Sequence, residues 1–318
     1  MRNLLDMDTI QIEVTNACRN RCANCTRYVG HYEPWFMPFD YFKDAVDSMI
    51  EYPKMVGIQG GEPLLHPDFE RMCVYLRTRI SDKKKLGLWT TLPTGYEHYR
   101  EIICKTFGNI FINDHTRPDI YHHPSLVAIK DVFKESNVMW YKISHCWTQE
   151  SWSASINPLG TFFCEMAASM SMLYKDSTVA WKLEPGWWNR QVWNFKEQIE
   201  YWCPQCGMAC NLKRKSSIEI IDDISQHHFD RLKDTSQKIK QGSYNLITNA
   251  KEVSAKETQQ LAAYKDTDYR NRIARRYGIF TYVNSENFWT PVLLEHVKTD
   301  TLSRQKSILQ TLVDRHSK

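Results

Sequence analysis

Between residue 8 and about residue 145, short apolar runs alternate with longer stretches in which apolar positions recur at helical spacing. Short runs rich in β-branched and aromatic residues predict strands, and the longer amphipathic stretches predict helices. The predicted strands are Ile10–Val14, Met55–Ile58, Leu86–Thr91, Ile110–Asn113 and Val138–Ile143. The predicted helices are Phe39–Tyr52, Pro67–Ser81, His98–Phe107 and Pro124–Glu135. Because alternating strands and helices form parallel β/α units, we expect an open or closed β/α barrel with its chemistry at the C-terminal ends of the strands.

The alternation stops near residue 150, which divides the chain into three predicted parts. A segment dense in Trp and Cys continues to about residue 212, and the final part of the chain is polar with helical patterns. We expect a barrel over residues 1–150, a small Cys-rich domain over 151–215 and a helical C-terminal extension over 216–318. Within that extension, Ile279–Val283 carries a strand signal, and Gln237–Gln260 is polar enough for a mobile helix or a partly ordered linker.

Composition is that of an ordinary soluble protein, with 42% hydrophobic and 25% charged residues. No apolar stretch is long enough to cross a bilayer, and Asp and Gln interrupt what would be the apolar core of a signal peptide. We therefore expect a cytoplasmic protein without a membrane partner. The net charge of +4 is too small to indicate a protein that binds polyanions over its whole surface.

Ten cysteines are informative in that compartment, because a reducing cytoplasm disfavours structural disulfides and favours metal ligation. Six of them form two tight groups, which are Cys18, Cys22, Cys25 and Cys203, Cys206, Cys210. The others, which stand apart, are Cys73, Cys104, Cys146 and Cys164. This clustering predicts two metal sites.

The first cysteine group follows the first predicted strand, in a loop at the catalytic end of the barrel. Three thiolates can ligate three irons of a cubane cluster and leave the fourth iron open to a small molecule. The alternative is half of a zinc site, completed by His31 or by a cysteine from elsewhere. The motif GGEP, Gly60–Pro63, directly follows the second predicted strand and so lies at the same edge of the sheet. Its glycines allow close approach to a ligand, and its acidic side chain and carbonyls can accept hydrogen bonds from an ammonium group.

Together, the spacing Cys-x3-Cys-x2-Cys and the GGEP motif resemble the radical S-adenosylmethionine (SAM) superfamily. The resemblance implies a partial (β/α)6 TIM-like barrel that holds a 4Fe–4S cluster on Cys18, Cys22 and Cys25, with SAM on the open iron. It also implies an enzyme that takes an electron from a donor such as flavodoxin or ferredoxin and cleaves SAM to a 5′-deoxyadenosyl radical. The expected cofactor-binding residues are Gly60, Gly61, Glu62, Pro63 and Thr91.

One position departs from this family pattern. Asn24 stands directly before the third cysteine, where family members often carry an aromatic residue that packs near the adenine. We expect Tyr28 or Tyr32 to take this packing role. The departure therefore concerns contacts with the adenine and not the chemistry.

The second cysteine group, Cys203-x2-Cys206-x3-Cys210, is preceded by a segment that begins at Gly160 and contains Cys164. This arrangement resembles the twitch and SPASM extensions of the superfamily, in which a glycine-led hairpin delivers one cysteine and a later group delivers the rest. The resemblance implies an auxiliary 4Fe–4S cluster on Cys164, Cys203, Cys206 and Cys210. A structural zinc site is the alternative, since four cysteines with a Cys-x2-Cys element also describe a zinc ribbon.

Three reactions can follow once the radical has taken a hydrogen atom from a small-molecule substrate. A dehydrogenase passes an electron from the substrate radical to the auxiliary cluster. An epimerase returns a hydrogen atom from a thiol, and Cys146 is the best candidate because it follows a predicted strand and should lie near the barrel mouth beside His145. The alternative for Cys146 is a buried structural cysteine. A rearrangement needs no outside hydrogen donor.

The substrate is less strongly indicated than the chemistry. Seven Trp residues in the middle segment, and the stretch Glu184–Trp188, can form flat platforms for a sugar, and relatives with a twitch extension often act on aminoglycosides or other sugars. We therefore expect epimerisation or dehydrogenation of a carbohydrate. A nucleotide or nucleic-acid base is the first alternative, with Lys83–Lys85, Lys213–Lys215 and Arg270–Arg276 as phosphate contacts. A peptide substrate is the second.

Overall fold

The computed structural model describes residues 1–116, 118, 120–252 and 281–284 of the chain. Within these residues, the backbone forms eleven strands and ten α-helices. The strands are β1 (Thr9–Glu13), β2 (Met55–Gln59), β3 (Leu86–Thr90), β4 (Asn109–Ile112), β5 (Tyr121–His122), β6 (Ala154–Asn157), β7 (Gly160–Phe162), β8 (Lys215–Ser216), β9 (Asp222–Ser225), β10 (Tyr244–Ile247) and β11 (Thr281–Asn284). The helices are α1 (Phe39–Asp47), α2 (Phe69–Arg79), α3 (Arg100–Thr106), α4 (Ile129–Val132), α5 (Ser136–Ser144), α6 (Trp147–Ser151), α7 (Glu165–Tyr174), α8 (Lys196–Trp202), α9 (Gln226–Leu232) and α10 (Gln237–Lys240).

Seven strands form one central sheet in the order β11-β4-β3-β2-β1-β6-β7. The five strands from β4 to β6 in this order are parallel, while β11 and β7 add antiparallel strands at the two edges. All residues of β1 to β4 are buried, as is usual for parallel strands that are covered on both faces. The chain is therefore an α/β protein, and its parallel-rich sheet is consistent with a partial TIM-like barrel.

The helices α1, α2 and α3 connect the first four strands and return the chain to the same end of the sheet each time. In α1, the residues that are buried against the core, Phe42, Ala45 and Val46, are three and four positions apart, which is the spacing of one helix face. In the sheet, Ile58 of β2 pairs with Ile12 of β1 and with Leu88 of β3. The C-terminal ends of these three strands therefore lie side by side.

The first four predicted strands are confirmed to within one residue at each end, as β1 to β4. The first three predicted helices are confirmed with shorter bounds, as α1 to α3. The strand signal at Ile279–Val283 matches β11 to within two residues. Strong local patterns thus placed the elements that carry the GGEP motif and the first cysteine group.

The predicted strand at Val138–Ile143 is wrong, because these residues belong to α5. Aromatic and β-branched residues favour a strand only where a neighbouring strand offers a place to pair. The outer edges of β4 and β1 are already paired, because β11 lies beside β4 and β6 lies beside β1. The segment forms a helix that buries Ile143 and leaves Tyr141 exposed. The helix predicted at Pro124–Glu135 is also reduced, to the four residues of α4.

The hairpin of β6 and β7 joins the central sheet, although it lies past the predicted domain boundary at residue 150. β6 pairs in parallel with β1, and β7 pairs with β6. Gly160 begins β7 with a φ of +139°, and a Cβ there would lie 2.6 Å from the carbonyl oxygen of Trp181, so this turn requires glycine. The hairpin leads directly to Cys164, which precedes α7. The expected glycine-led hairpin is therefore present, but it completes the barrel sheet.

The described part of the C-terminal segment contains short strands as well as helices. β9 pairs in parallel with β10, and β8 pairs with β5. Residues 253–280 and 285–318, which include the basic run Arg270–Arg276, lie outside the described residues. Among the described helices, none is long and apolar enough to cross a membrane.

Candidate active site

A cavity of about 160 Å³ opens where β1, β2 and β3 end, and we call it the first cavity. Gln59 lines it from β2 and Thr90 lines it from β3. The predicted site residues that line it are Cys18, Cys22, Cys25, Gly60, Gly61 and Thr91. Parallel strands thus bring together motifs that are far apart in the sequence.

Burial is the main influence on the pKa values of Cys18 and Cys22 in the first cysteine group. It raises the pKa of the Cys18 thiol to about 12, and it also raises the pKa of Cys22. The neighbouring Cys25 adds to the rise at both residues. These two thiols therefore hold their protons unless a bound metal supplies the positive charge that stabilises thiolates.

The spacing of ligand atoms distinguishes a cluster from a single metal ion. Within the described residues, the one group with three ligand atoms within 4.8 Å of one another is Cys22, His115 and His122. Cys18, Cys22 and Cys25 do not form such a group. A tetrahedral zinc ion with Zn–S bonds of about 2.3 Å needs closely spaced sulfurs, whereas a cubane binds its ligands at separate corners. Within the described residues, the three cysteines therefore do not meet the spacing of a single zinc site, whereas Cys22 meets it together with His115 and His122.

His31, the alternative zinc ligand, uses both ring nitrogens elsewhere. Its Nδ1 lies 2.8 Å from Oγ of Ser236, and its Nε2 lies 2.6 Å from a carboxylate oxygen of Asp222. Burial alone would raise the pKa of Asp222, but His31 and Lys238 together lower it, so the carboxylate is ionised. His31 is thus a structural residue in this arrangement and not a metal ligand.

Residues of the C-terminal segment hold the cysteine loop by its backbone. Nζ of Lys238 donates to the carbonyl oxygen of Cys22 at 2.9 Å, and the N–H of Asn24 donates to the Asp222 carboxylate. Asn24 has a φ of +50°, and its side-chain oxygen accepts a hydrogen bond from the N–H of Asp223 at 2.8 Å. Asparagine tolerates this left-handed conformation far better than a bulky aromatic residue. We call Asp222, Asp223 and Lys238 the loop clamp, and it explains the asparagine at position 24.

The two glycines of the GGEP motif are needed for packing against the chain that follows β1. The N–H of Gly61 donates to the carbonyl oxygen of Thr15 at 2.7 Å, and the N–H of Glu62 donates to that of Ala17 at 2.7 Å. A Cβ on Gly60 would lie 2.3 Å from the carbonyl oxygen of Thr15. A Cβ on Gly61 would lie 2.4 Å from that of Ala17. The motif is therefore fixed directly against the start of the cysteine loop.

We expect Gly61→Ala to lower the iron content of the first cluster, because the added methyl group must displace the backbone that leads to Cys18. Iron and sulfide analysis after anaerobic reconstitution measures this loss. Gly242→Ala is the matched control, since open space surrounds its Cβ position and its cost is the backbone strain of a φ of +71°, about 1–2 kcal/mol. Full iron loading of the Gly61→Ala chain would contradict this packing role.

Glu62 is a buried carboxylate that ties the loop after β2 to the end of β3. It accepts hydrogen bonds from the hydroxyl of Thr90 at 2.7 Å and from both the N–H and the hydroxyl of Thr91 at 2.6 Å. Burial raises its pKa, and these hydrogen bonds oppose the rise. Pro63 then begins a short 3-10 turn, Pro63–Leu65, whose N–H at Leu64 also donates to Glu62. Both carboxylate oxygens are thus occupied by protein donors, and Thr91 reaches the cavity while bound to Glu62.

The aromatic residues around the cavity differ from those expected. Trp147 and Trp152 line it, whereas Tyr28 and Tyr32, the residues expected near the adenine, do not. Tyr28 is fully buried in the core. The stretch Glu184–Trp188 lies elsewhere, with its first residues at a surface groove and its tryptophans in the core. The sugar platform expected there is therefore not part of this site.

A buried ion group, which the sequence patterns did not reveal, forms part of the cavity wall. The guanidinium of Arg27 lies 3.3 Å from the carboxylate of Glu13 and also binds that of Glu165. Nε2 of Gln59 donates to Glu165 at 3.3 Å. Burial raises the pKa of Glu13, and Arg27 opposes the rise. These residues come from β1, the cysteine loop and α7, so no local spacing relates them.

Comparison with known families identifies the N-terminal domain of the chain. Residues 12–109 match the family model described as the Radical SAM superfamily. Residues 12–109 of the chain thus form a domain of the radical SAM superfamily. The matched residues contain the first cysteine group and the GGEP motif. Membership indicates an enzyme and implies a 4Fe–4S cluster that binds SAM.

Other comparisons add less to this assignment. Curated proteins give no match to the sequence of this radical SAM protein. Among solved structures, it is similar to BtrN in complex with AdoMet and 2-DOIA, at 13% identity and a TM-score of 0.35, over 50% of this chain and 74% of that one. It is also similar to Streptococcus suis SuiB bound to S-adenosylmethionine, at 19% identity and a TM-score of 0.27, over 31% of this chain and 23% of that one.

A smaller cavity of about 30 Å³, which we call the second cavity, lies beside the radical SAM domain's first cavity. The cysteines that line it are Cys146, Cys164, Cys203 and Cys206. Burial raises the pKa of all four thiols, and Cys146 adds to the rise at each of the other three. Cys210 does not line this cavity but belongs to a neighbouring apolar cluster with Val127 and Leu212, against which Cys203 also packs. Cys146 also adds to the rise in the pKa of Cys210. Cys146, which the sequence pattern did not assign as a cluster ligand, thus lies among the cysteines of the second group.

Neighbouring residues in the chain face different cavities. Cys146 lines the second cavity and Trp147 the first, and Cys164 lines the second while Glu165 lines the first. Met208 lines both. The expected position of Cys146 at the barrel mouth is therefore wrong, because it follows helix α5 and not a strand of the sheet. The two cavities therefore share part of their walls.

Proposed function

We propose that this chain is a radical SAM dehydrogenase that oxidises an alcohol carbon of a small, sugar-like molecule. The residues to hold the first cluster are Cys18, Cys22 and Cys25. When bound, this cluster supplies the electron that cleaves SAM to a 5′-deoxyadenosyl radical. The substrate loses a hydrogen atom from carbon, then one electron and the hydroxyl proton, and so becomes a carbonyl compound.

The observation that carries this proposal is the position of Cys146 among the cysteines of the second cavity. We assign Cys146, Cys164, Cys203 and Cys206 as the ligands of an auxiliary 4Fe–4S cluster in a twitch-like segment. With four protein ligands that cluster has no open iron, so it supplies an electron acceptor and not a substrate site. Met208 and α6 bring the second cavity within one layer of side chains of the first.

Epimerisation is less well supported, because it requires a thiol that can return a hydrogen atom to the substrate. Of the described residues that line the first cavity, the cysteines are Cys18, Cys22 and Cys25, which we assign to the cluster. The sequence-based donor Cys146 is assigned to the other cluster. Dehydrogenation needs no such donor.

Several polar atoms of the first cavity support a substrate with hydroxyl groups. Oγ1 of Thr9, Oε1 of Gln11 and Oγ of Ser151 are buried and have no hydrogen-bond partner among the residues that the structure describes, and all three residues line the cavity. Buried polar groups rarely remain unsatisfied, so they indicate a polar ligand. Trp147 and Trp152 add flat apolar faces of the kind that pack against sugar rings.

His122 is the residue that we assign to accept the hydroxyl proton. Its Nδ1 lies 2.7 Å from the carbonyl oxygen of Ala23, which can only accept, so Nδ1 carries the hydrogen. Burial lowers the pKa of His122, which keeps the ring neutral and leaves Nε2 as an acceptor. A neutral imidazole in the cavity wall can take a proton as the carbonyl group forms.

The test is anaerobic reconstitution, followed by reductive cleavage of SAM in the presence of aminocyclitols, aminoglycosides and simple sugars. We expect about eight irons per chain, the sum of two cubanes, and one oxidised substrate for each 5′-deoxyadenosine. The natural electron donor is expected to be a flavodoxin or ferredoxin, and dithionite replaces it in the assay. A count of about four irons and one zinc per chain would contradict the proposed auxiliary cluster. Deuterium incorporated from D₂O at an unoxidised carbon would indicate epimerisation instead.

A further inference from the structure

The basic run Lys213–Lys215 does not form one charged surface. Lys213 is exposed, and Nζ of Lys215 is paired with the Asp223 carboxylate at 2.5 Å. Arg214 alone of the three lines the first cavity, where it is partly buried. Burial lowers its pKa, and the described residues provide no carboxylate within ion-pair distance of its guanidinium. Within the described part of the chain, Arg214 is thus a cation without a carboxylate partner at the proposed substrate site.

The other charged groups described in this part of the site are already paired with one another. Arg27 and Glu165 line it and bind each other, with Glu13 as a second carboxylate on Arg27. The Arg214 guanidinium lies apart from this group, 5.6 Å from the centre of the Trp147 ring. A guanidinium that lies on an indole face is held in place while its N–H groups stay available.

His123 completes this part of the wall. Its ring packs edge-on against Trp147, with 6.3 Å between ring centres, and its Nε2 lies 3.0 Å from the carbonyl oxygen of Gly207. The carbonyl can only accept, so Nε2 carries the hydrogen and Nδ1 of the neutral ring is an acceptor. Nδ1 is buried, makes no close hydrogen bond within the described residues although the backbone of Cys210 lies near the ring, and belongs to a residue that lines the cavity.

We propose that His123, Trp147 and Arg214 form an anion corner that recognises a substrate with both an anionic group and a hydroxyl group, such as a sugar acid or a sugar phosphate. The guanidinium of Arg214 binds the carboxylate or phosphate through paired N–H donors. Nδ1 of His123 accepts a hydrogen bond from a neighbouring hydroxyl. This inference rests on the proposed function, because it narrows the sugar-like substrate of the same cavity to an acidic one.

Three probes with the same carbon chain test the corner: D-glucitol, D-gluconate and D-glucitol 6-phosphate. Binding to the reconstituted full chain is measured by calorimetry, without turnover. We expect at least one anionic probe to bind about tenfold or more tightly than D-glucitol, because charge-assisted hydrogen bonds are the stronger ones. The tighter of the two anions identifies the group as carboxylate or phosphate. Equal binding of all three probes would overturn the proposal.

Variants connect that preference to Arg214. Arg214→Gln should remove the preference for the anion, Arg214→Lys should keep part of it, and Lys213→Gln, at an exposed position, should keep all of it. Loss of the preference in Lys213→Gln, or its survival in Arg214→Gln, would contradict the assignment. If Arg214→Gln loses iron or secondary structure, the Arg214→Lys chain is used as the test instead. An anion corner that needs the planar guanidinium should then bind the anionic probe measurably more weakly, because lysine offers only an ammonium group.

The affinity for SAM is measured in the same proteins. If Arg214→Gln lost affinity for SAM by the same factor as for the anionic probe, Arg214 would be binding the carboxylate of SAM. That result would contradict the proposal. Cleavage of SAM by the unaltered chain is scored separately. A chain that binds the anionic probe but never cleaves SAM would refute the proposed function while leaving the anion corner intact.

Discussion

The Cys146→Ala chain should bind about four irons after reconstitution, against about eight for the unaltered chain. Cys146 lines the second cavity together with Cys164, Cys203 and Cys206, so its loss removes one of four proposed ligands. The first cysteine group is untouched, and SAM cleavage should therefore continue. The carbonyl product should disappear, because the electron of the substrate radical has lost its acceptor.

The matched control for this experiment is Cys210→Ala. The sequence pattern assigns Cys210 to the auxiliary cluster, whereas the structure packs it in an apolar cluster outside the second cavity. We expect Cys210→Ala to keep about eight irons and full product formation. If Cys210→Ala loses iron and Cys146→Ala does not, the ligand set drawn from sequence spacing is right and the one drawn from the structure is wrong.

Replacing Arg27 by Met should destabilise the fold by about 3–5 kcal/mol, because it leaves Glu13 and Glu165 buried without their common counter-ion. This is a large share of the roughly 5–15 kcal/mol that separates a typical folded domain from its unfolded chain. Denaturant unfolding under anaerobic conditions measures the difference. Arg79→Met is the control, since Arg79 pairs with Asp47 at the surface and such pairs contribute about 1 kcal/mol or less.

The loss in Arg27→Met should also depend on pH, in a direction that the structure fixes. Burial raises the pKa of Glu13 and Arg27 opposes that rise, so removing Arg27 raises the pKa further. A carboxyl group whose folded pKa exceeds its unfolded value stabilises the fold below the unfolded pKa and loses that contribution as pH rises. The difference in free energy of unfolding between the unaltered chain and Arg27→Met should therefore become smaller as the pH is lowered from 7 to 5. A deficit that does not change with pH would mean that Glu13 stays ionised in the variant.

The parts of the site that sequence predicted are those held within one motif or placed by one strand end. Cys18, Cys22 and Cys25 share a loop, and the GGEP motif follows the adjacent strand, so strand order alone brings them together. The sequence predicts Glu62 and Thr91 as cofactor contacts and not as partners of each other, but their pairing also spans only neighbouring strand ends. For such residues a short pattern contains most of the spatial information.

Other parts depend on contacts between distant segments. Cys146 reaches the second cavity because α5 takes the place of a predicted strand, and this depends on which strands occupy the sheet edges. In the sequence, Asn24 is a departure from the family pattern. Its role depends on its partners Asp222 and Asp223, which lie about 200 residues away in the chain. Arg214 looks like one member of a solvated basic run, and only the fold separates it from Lys213.

The loop clamp has a consequence for the order of events when this protein is made. The backbone of the cysteine loop is held by Asp222 and by Nζ of Lys238, which donates to the carbonyl oxygen of Cys22. During synthesis, a nascent chain that has not yet reached residue 238 lacks those partners. Binding a cluster at that stage would cost the conformational entropy of ordering the cysteine loop. We therefore expect insertion of the first cluster to follow, and not to precede, the release of these late residues from the ribosome.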